Sequence, residues 1–189
     1  QKYAHVALEV GGEHNVMNAL AAASAAYVLG IRGEAVERGL ATFTGAGRRF
    51  EKKGSYHGAD VYDDYAHHPN EISTAISSMR DIFPGRKLTA IFQPHLYTRT
   101  RDFAEEFARA LSAVDKLILL DIYPAREEPI PGVSSEIIFD KVTAPEKVLL
   151  KKEELMDYLH NEKIDTLITF GAGNIDRYTG EITKMLEAR

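Results

Sequence analysis

Apolar positions along the chain recur with two different periods, and the change of period divides it. The segment His5-Val6-Ala7-Leu8-Glu9-Val10 alternates weakly, as a strand does, and Gly11-Gly12 ends it. Residues 14–29 then take helical spacing, with Ala19, Ala22, Ala23 and Ala26 at close-packing positions, and 33–43 predicts a second helix with Ala35, Val36 and Leu40 inward. Gly45-Ala46-Gly47 breaks the pattern and reads as a domain boundary.

Beyond that joint, 49–65 predicts a hairpin with Gly54 and Gly58 near its turn and Ala59-Asp60-Val61-Tyr62-Asp63 as the returning strand. Pro69 opens a helix at a position where its missing N–H does no harm, and Ile72, Ala75, Ile76, Met79 and Phe83 follow at helical spacing until Pro84-Gly85. Three runs, 88–92, 116–120 and 166–170, are short and apolar on both sides, the pattern of buried parallel strands, and 148–150 supplies one more. Helices are predicted between them over 101–113, 134–142, 153–159 and 175–186. Strands alternating with helices from about residue 48 define a doubly wound α/β domain, a class that binds ligands beyond the carboxyl ends of its strands.

Composition narrows the function. With 23 basic against 28 acidic residues the net charge is −5, and no block of like charge stands out, which argues against nucleic acid or an anionic membrane as the main partner. The chain has no cysteine, hence no disulfide, thiolate metal site or thiol nucleophile, which fits a reducing compartment. Its most apolar stretch, 16–31, is interrupted by Asn18, Ser24 and Gly30 and is shorter than the ~20 residues a bilayer requires. The opening Gln1-Lys2-Tyr3 lacks a Met and a signal pattern, so the chain reads as cut from a longer protein.

The segments just past the predicted strands share one rim, and they are polar: Asp63-Asp64-Tyr65-Ala66-His67-His68, Gln93-Pro94-His95-Leu96-Tyr97-Thr98-Arg99, Asp121-Ile122-Tyr123-Pro124-Ala125-Arg126 and Gly171-Ala172-Gly173-Asn174. The Asp-Asp-Tyr-Ala-His-His run has the ligand types of a metal site, but strand alternation sends neighbours to opposite faces. Ribose or substrate hydrogen bonding by one Asp and one His is the better functional reading, against a plain His-rich cap of the Pro69 helix. The glycine string either offers N–H groups to an anion or is a tight strand-to-helix turn. In the first segment His14 and Asn18 share a helix face with Asn15 three before Asn18. Asn carboxamides can read an adenine edge, whereas N-capping by His14 or Asn15 explains only one of them. A receiver-type domain would use Asp63, Asp64 and Asp121 but needs a Lys after the last strand, where none stands. A histidine-ligated metallohydrolase or a plain α/β binding module would also accommodate these residue types.

Taken together, His14-Asn15-Val16-Met17-Asn18, Arg48-Arg49-Phe50-Glu51, Asp63-Asp64-Tyr65-Ala66-His67-His68-Pro69, Phe92-Gln93-Pro94-His95 and Asp121-Ile122-Tyr123-Pro124-Ala125-Arg126-Glu127 resemble, in order, the Mur ligases of peptidoglycan synthesis. The resemblance implies that 1–47 is the C-terminal part of the central ATP-binding domain, a helical remnant, and 48–189 the C-terminal Rossmann-like domain. It implies an ATP-dependent, cytoplasmic amide ligase of cell-wall growth, shape and division, with ATP and Mg as cofactors. UDP-N-acetylmuramic acid and L-alanine would be joined through an acyl phosphate. It further implies that His14, Asn15 and Asn18 contact adenine, Arg49 the phosphates and Asp64 the ribose. Tyr65, His67, His95 and Arg99 would line the amino acid, with Arg49 and His67 catalytic. Two departures are Ala66 where Gly is expected and Leu96 where many members carry Arg. No G-x-x-x-x-G-K-[ST] loop occurs in the chain, so the phosphate cradle is expected upstream and the isolated chain is expected to be inactive.

Overall fold

The computed structural model describes residues 2–189, which cluster into two compact units divided between Ala46 and Gly47. The first unit holds α1 (Glu13–Val28) and α2 (Gly33–Ala41). Its only buried apolar side chain among the described residues is Val36, whereas Val16, Met17, Leu20 and Tyr27 on α1 are exposed. The strand expected at 5–10 does not form: those residues join no ladder, and a strand without a hydrogen-bonded neighbour is not stable in water.

The second unit is an α/β fold. Its sheet consists of β1 (Glu51–Tyr56), β2 (Ala59–Asp64), β3 (Leu88–Phe92), β4 (Lys116–Leu120), β5 (Glu146–Leu150) and β6 (Thr166–Phe170), in the order β1-β2-β6-β3-β4-β5. Only the β1–β2 pair is antiparallel. The hairpin turns on His57 and Gly58, both at positive φ (49° and 89°), as the favoured two-residue turn demands. Gly54 is not in the turn: it follows a register shift after Lys52 at φ 149°, where a Cβ would strike the Tyr56 ring.

The two-sided apolar runs are β3, β4 and β6, buried along their full lengths. Because side chains alternate, Ala90, Phe92, Leu117, Leu119, Ile168 and Phe170 face α3 (Pro69–Ile82), α5 (Ala104–Leu111) and α6 (Glu136–Phe139). Val61, Ile91, Ile118, Leu120 and Leu167 face α7 (Leu155–His160) and α8 (Asp176–Glu187) on the other side. Connections leaving β2 and β3 pass to the first layer and that leaving β6 to the second, so switch points flank β6, where such sheets open a crevice.

Two expected helices differ. The one predicted at 101–113 starts earlier, as α4 (Tyr97–Asp102), and is broken from α5 at Phe103, whose φ is −120°. The one predicted at 134–142 is regular only over the four residues of α6.

Candidate active-site rim

Parallel register brings the strand ends level: Asp64 pairs with Phe170, Phe170 with Phe92, and Phe92 with Leu119. The loops that follow therefore meet along one edge, and a continuous set of contacts runs along it. The Tyr65 and His67 rings are edge-on at 5.2 Å, those of His67 and His95 lie 6.4 Å apart, and His95 stacks on Tyr123 at 5.7 Å with 20° between planes. Arg99 Nη1 donates to His95 Nδ1 at 3.4 Å. Tyr123 is held there by an isolated bridge to His95, and its backbone exchanges hydrogen bonds with Pro94 and Leu96.

His67 Nδ1 lies 3.0 Å from the Tyr65 carbonyl and 3.6 Å from Glu71, so the neutral ring donates from Nδ1 and keeps its lone pair on Nε2. Arg99 donating to His95 Nδ1 requires the opposite tautomer there, with the proton on Nε2. Burial, followed by the charge of Arg99, holds the His95 imidazole below its ordinary value, which favours that neutral ring. His68 turns away: its Nδ1 accepts from Asn70 N as the cap of α3 and its ring packs on Phe103, while Glu71 receives the N–H groups of His67 and His68.

The two aspartates part, as strand alternation requires. Asp63 is buried against Thr169 and Arg48. Asp64 accepts the N–H of Phe50 at 2.8 Å and that of Ala66 at 2.7 Å, and burial raises its carboxyl above the ordinary range despite those bonds. Arg48 and Arg49 both stand over the Tyr65 ring, at 5.0 and 5.6 Å. Arg48 is committed inward, also donating to the Gly171 carbonyl at 2.5 Å, whereas Arg49 is exposed. Sequence reasoning selects Arg49 and passes over Arg48 and Tyr123, although both stand in the strings that carry the family resemblance.

Gly171-Ala172-Gly173 is a tight connection. A Cβ on Gly173 would come within 2.5 Å of Gln93 Oε1 and 2.7 Å of Tyr123, so the loop lies directly on Gln93 and Tyr123. In the first unit His14 and Asn18 lie one turn apart on α1, Asn18 exposed. Neither His14 nor Asn15 caps that helix: Gly12 is the cap residue, and Asn15 reaches back to the Gly11 carbonyl at 2.7 Å.

Aromatic, imidazole and guanidinium groups thus line one rim of an α/β sheet, at the carboxyl ends of its strands. The chain belongs to the Mur ligase family: residues 48–173 match the Mur ligase, glutamate ligase domain. A UDP-N-acetylmuramate--L-alanine ligase from Parabacteroides distasonis is 52% identical over 181 residues, covering 96% of this chain and 39% of that protein. One from Cytophaga hutchinsonii is 41% identical over 188 residues, covering 100% of this chain and 40% of its own length. The crystal structure of UDP-N-acetylmuramate-alanine ligase from Thermotoga maritima superimposes with a TM-score of 0.81 at 27% identity, covering 100% of this chain and 41% of that one. The chain thus spans about two fifths of the length of the curated relatives it matches.

Proposed function

We propose that this chain is the C-terminal part of an ATP-dependent ligase that joins L-alanine to UDP-N-acetylmuramic acid through an acyl phosphate, in the cytoplasm. In this reading 1–47 completes a central nucleotide-binding domain and 48–189 delivers the amino acid. The observation that carries the reading is the contact of Arg99 with His95, in line with His67 and Tyr65 on one rim.

L-alanine enters with a carboxylate and an ammonium. A guanidinium offers paired N–H groups to the carboxylate, which places Arg99 at that end. The ammonium must lose a proton before it attacks an acyl phosphate, and the unprotonated Nε2 of His67 is the acceptor on this rim. The attack forms the C–N bond and builds a tetrahedral oxyanion, which collapses by breaking the acyl C–O bond and releasing inorganic phosphate, and positive charge from Arg49 offsets both the oxyanion and the departing phosphate. Toward ATP, each Asp64 oxygen keeps a second lone pair beyond its backbone N–H, enough to receive ribose hydroxyls. His14, Asn15 and Asn18 are assigned to the adenine. Among the described residues no group of three or more His, Asp or Glu side chains could hold a metal ion, so the Mg that accompanies ATP is given no ligand here.

The test is Arg99→Ala in the full-length ligase, followed by phosphate release from ATP. Loss of a charge-assisted contact raises the half-saturating L-alanine concentration roughly 10- to 150-fold, with a smaller effect on ATP. A larger change for ATP than for L-alanine overturns the assignment. Turnover by the isolated chain clearly above background overturns the reading of it as an incomplete enzyme.

A further inference from the structure

Helix α4, which carries Arg99, begins badly by its own means. It has six residues, its cap residue Leu96 sits at a φ of 74°, and no side chain of the cap receives an N–H. A non-glycine residue in that region is strained and persists only when its surroundings hold it. The missing cap comes from elsewhere: Glu127, in the loop after β4, accepts the Thr98 N–H on Oε2 at 3.0 Å and the Thr98 hydroxyl on Oε1. The same loop fixes the residue before the helix, since Leu96 N donates to the Tyr123 carbonyl at 3.0 Å. A carboxylate at a helix start is also favourable to the helix dipole.

We propose that Glu127 is a positioning residue, which caps α4 from outside and so holds the Arg99 guanidinium against His95. The inference rests on reading this rim as the amino-acid subsite. Glu127 touches no reacting atom; it acts through Thr98 and the helix. The charged and titratable groups that act on His95 are Arg99, His67, Glu127 and Arg126, with Arg99 and Glu127 acting in opposite directions.

That opposition separates capping from charge. In the 189-residue chain, Glu127→Gln keeps a carbonyl oxygen for the Thr98 N–H but removes the charge, whereas Glu127→Ala removes both. Amide exchange and histidine titration by NMR read the result. Glu127→Ala speeds exchange at Thr98 roughly fivefold or more, with the β3 and β4 amides unchanged, and Glu127→Gln restores slow exchange. The His95 midpoint falls in Glu127→Gln and rises above that value in Glu127→Ala, because Arg99 is no longer held beside the ring. Wild-type exchange at Thr98 in Glu127→Ala overturns the proposal, and so does identical behaviour of the two variants. Neither readout involves substrate, so a failure here is distinct from a failure of the Arg99 kinetics.

Discussion

Arg48 Nε lies 3.3 Å from the Asp63 carboxylate, a pair in which the acid side chain is 1% exposed and the arginine 24%. The same guanidinium donates to the Gly171 carbonyl, so one side chain ties the β1–β2 hairpin to the end of β6. Arg48→Ala leaves the buried Asp63 with Thr169 as its remaining side-chain partner and costs about 3 kcal/mol. Urea unfolding of the second unit measures this. Adding Asp63→Asn to Arg48→Ala restores part of the loss, because no charge is then stranded; a double variant worse than Arg48→Ala alone contradicts the account.

Asp63 and Asp60 predict opposite responses to pH. Burial raises the Asp63 carboxyl above the ordinary range, outweighing its hydrogen bonds with Thr169 and Arg48. The folded chain therefore holds that proton more tightly than the unfolded chain. Stability from Asp63 is complete below the unfolded value of about 3.9 and is lost as pH rises through the higher folded value. At Asp60 burial also acts upward, but Ser55, Arg86 and Lys52 together hold its carboxyl low, so its contribution is present above about 3.9 and is lost as pH falls. Urea midpoints from about pH 2 to 7 show it. Relative to wild type, Asp63→Asn gains with rising pH and Asp60→Asn gains with falling pH. Parallel trends in the two variants refute the assignment.

Two glycines separate space from flexibility. Gly173→Ala places a Cβ against Gln93 and Tyr123 and lowers stability by about 1 to 3 kcal/mol while displacing Tyr123 from His95. Gly180 is exposed inside α8 with nothing within 4 Å, so Gly180→Ala raises stability by about 0.5 to 1 kcal/mol. Thermal unfolding distinguishes them by sign, and ring-current shifts on His95 report the stack.

Hydrogen exchange in the isolated chain should find α1 least protected. It contains no buried residue, and apolar burial is what makes opening costly. Amides of α1 exchanging as slowly as those of β4 would contradict this.

The parts of the fold that were legible in sequence are those whose signal is local. The runs at 88–92, 116–120 and 166–170 are strands over those same residues because two-sided burial leaves an unbroken apolar string. Pro69 marks the start of α3 in the sequence. The misses concern partners distant in sequence. Residues 5–10 alternate as a strand should, yet pairing decides a strand and pairing is not written locally. The start of α4 was missed because its cap, Glu127, stands 29 residues away from Thr98. At the rim, Tyr65, His67, His95 and Arg99 stand in the polar strings that follow the strands, and the structure brings them onto one edge. Arg49 was chosen over Arg48 by resemblance alone, since two adjacent arginines look alike in sequence until one turns inward. Tyr123 had no signal beyond its place after a strand, in one of the strings that carry the family resemblance.

One of the two central strands of the sheet, β6, is the last of the six to leave the ribosome. Until Thr166–Phe170 has been synthesised, the edges of β2 and β3 that will pair with it stand open, with their N–H and C=O groups exposed. At ~5–20 residues per second the wait from β3 lasts several seconds, time for a neighbouring nascent chain to pair there instead. A message truncated before Thr166 would leave two half-sheets that never join. Such products are natural clients for holdase chaperones and for proteases that clear stalled translation.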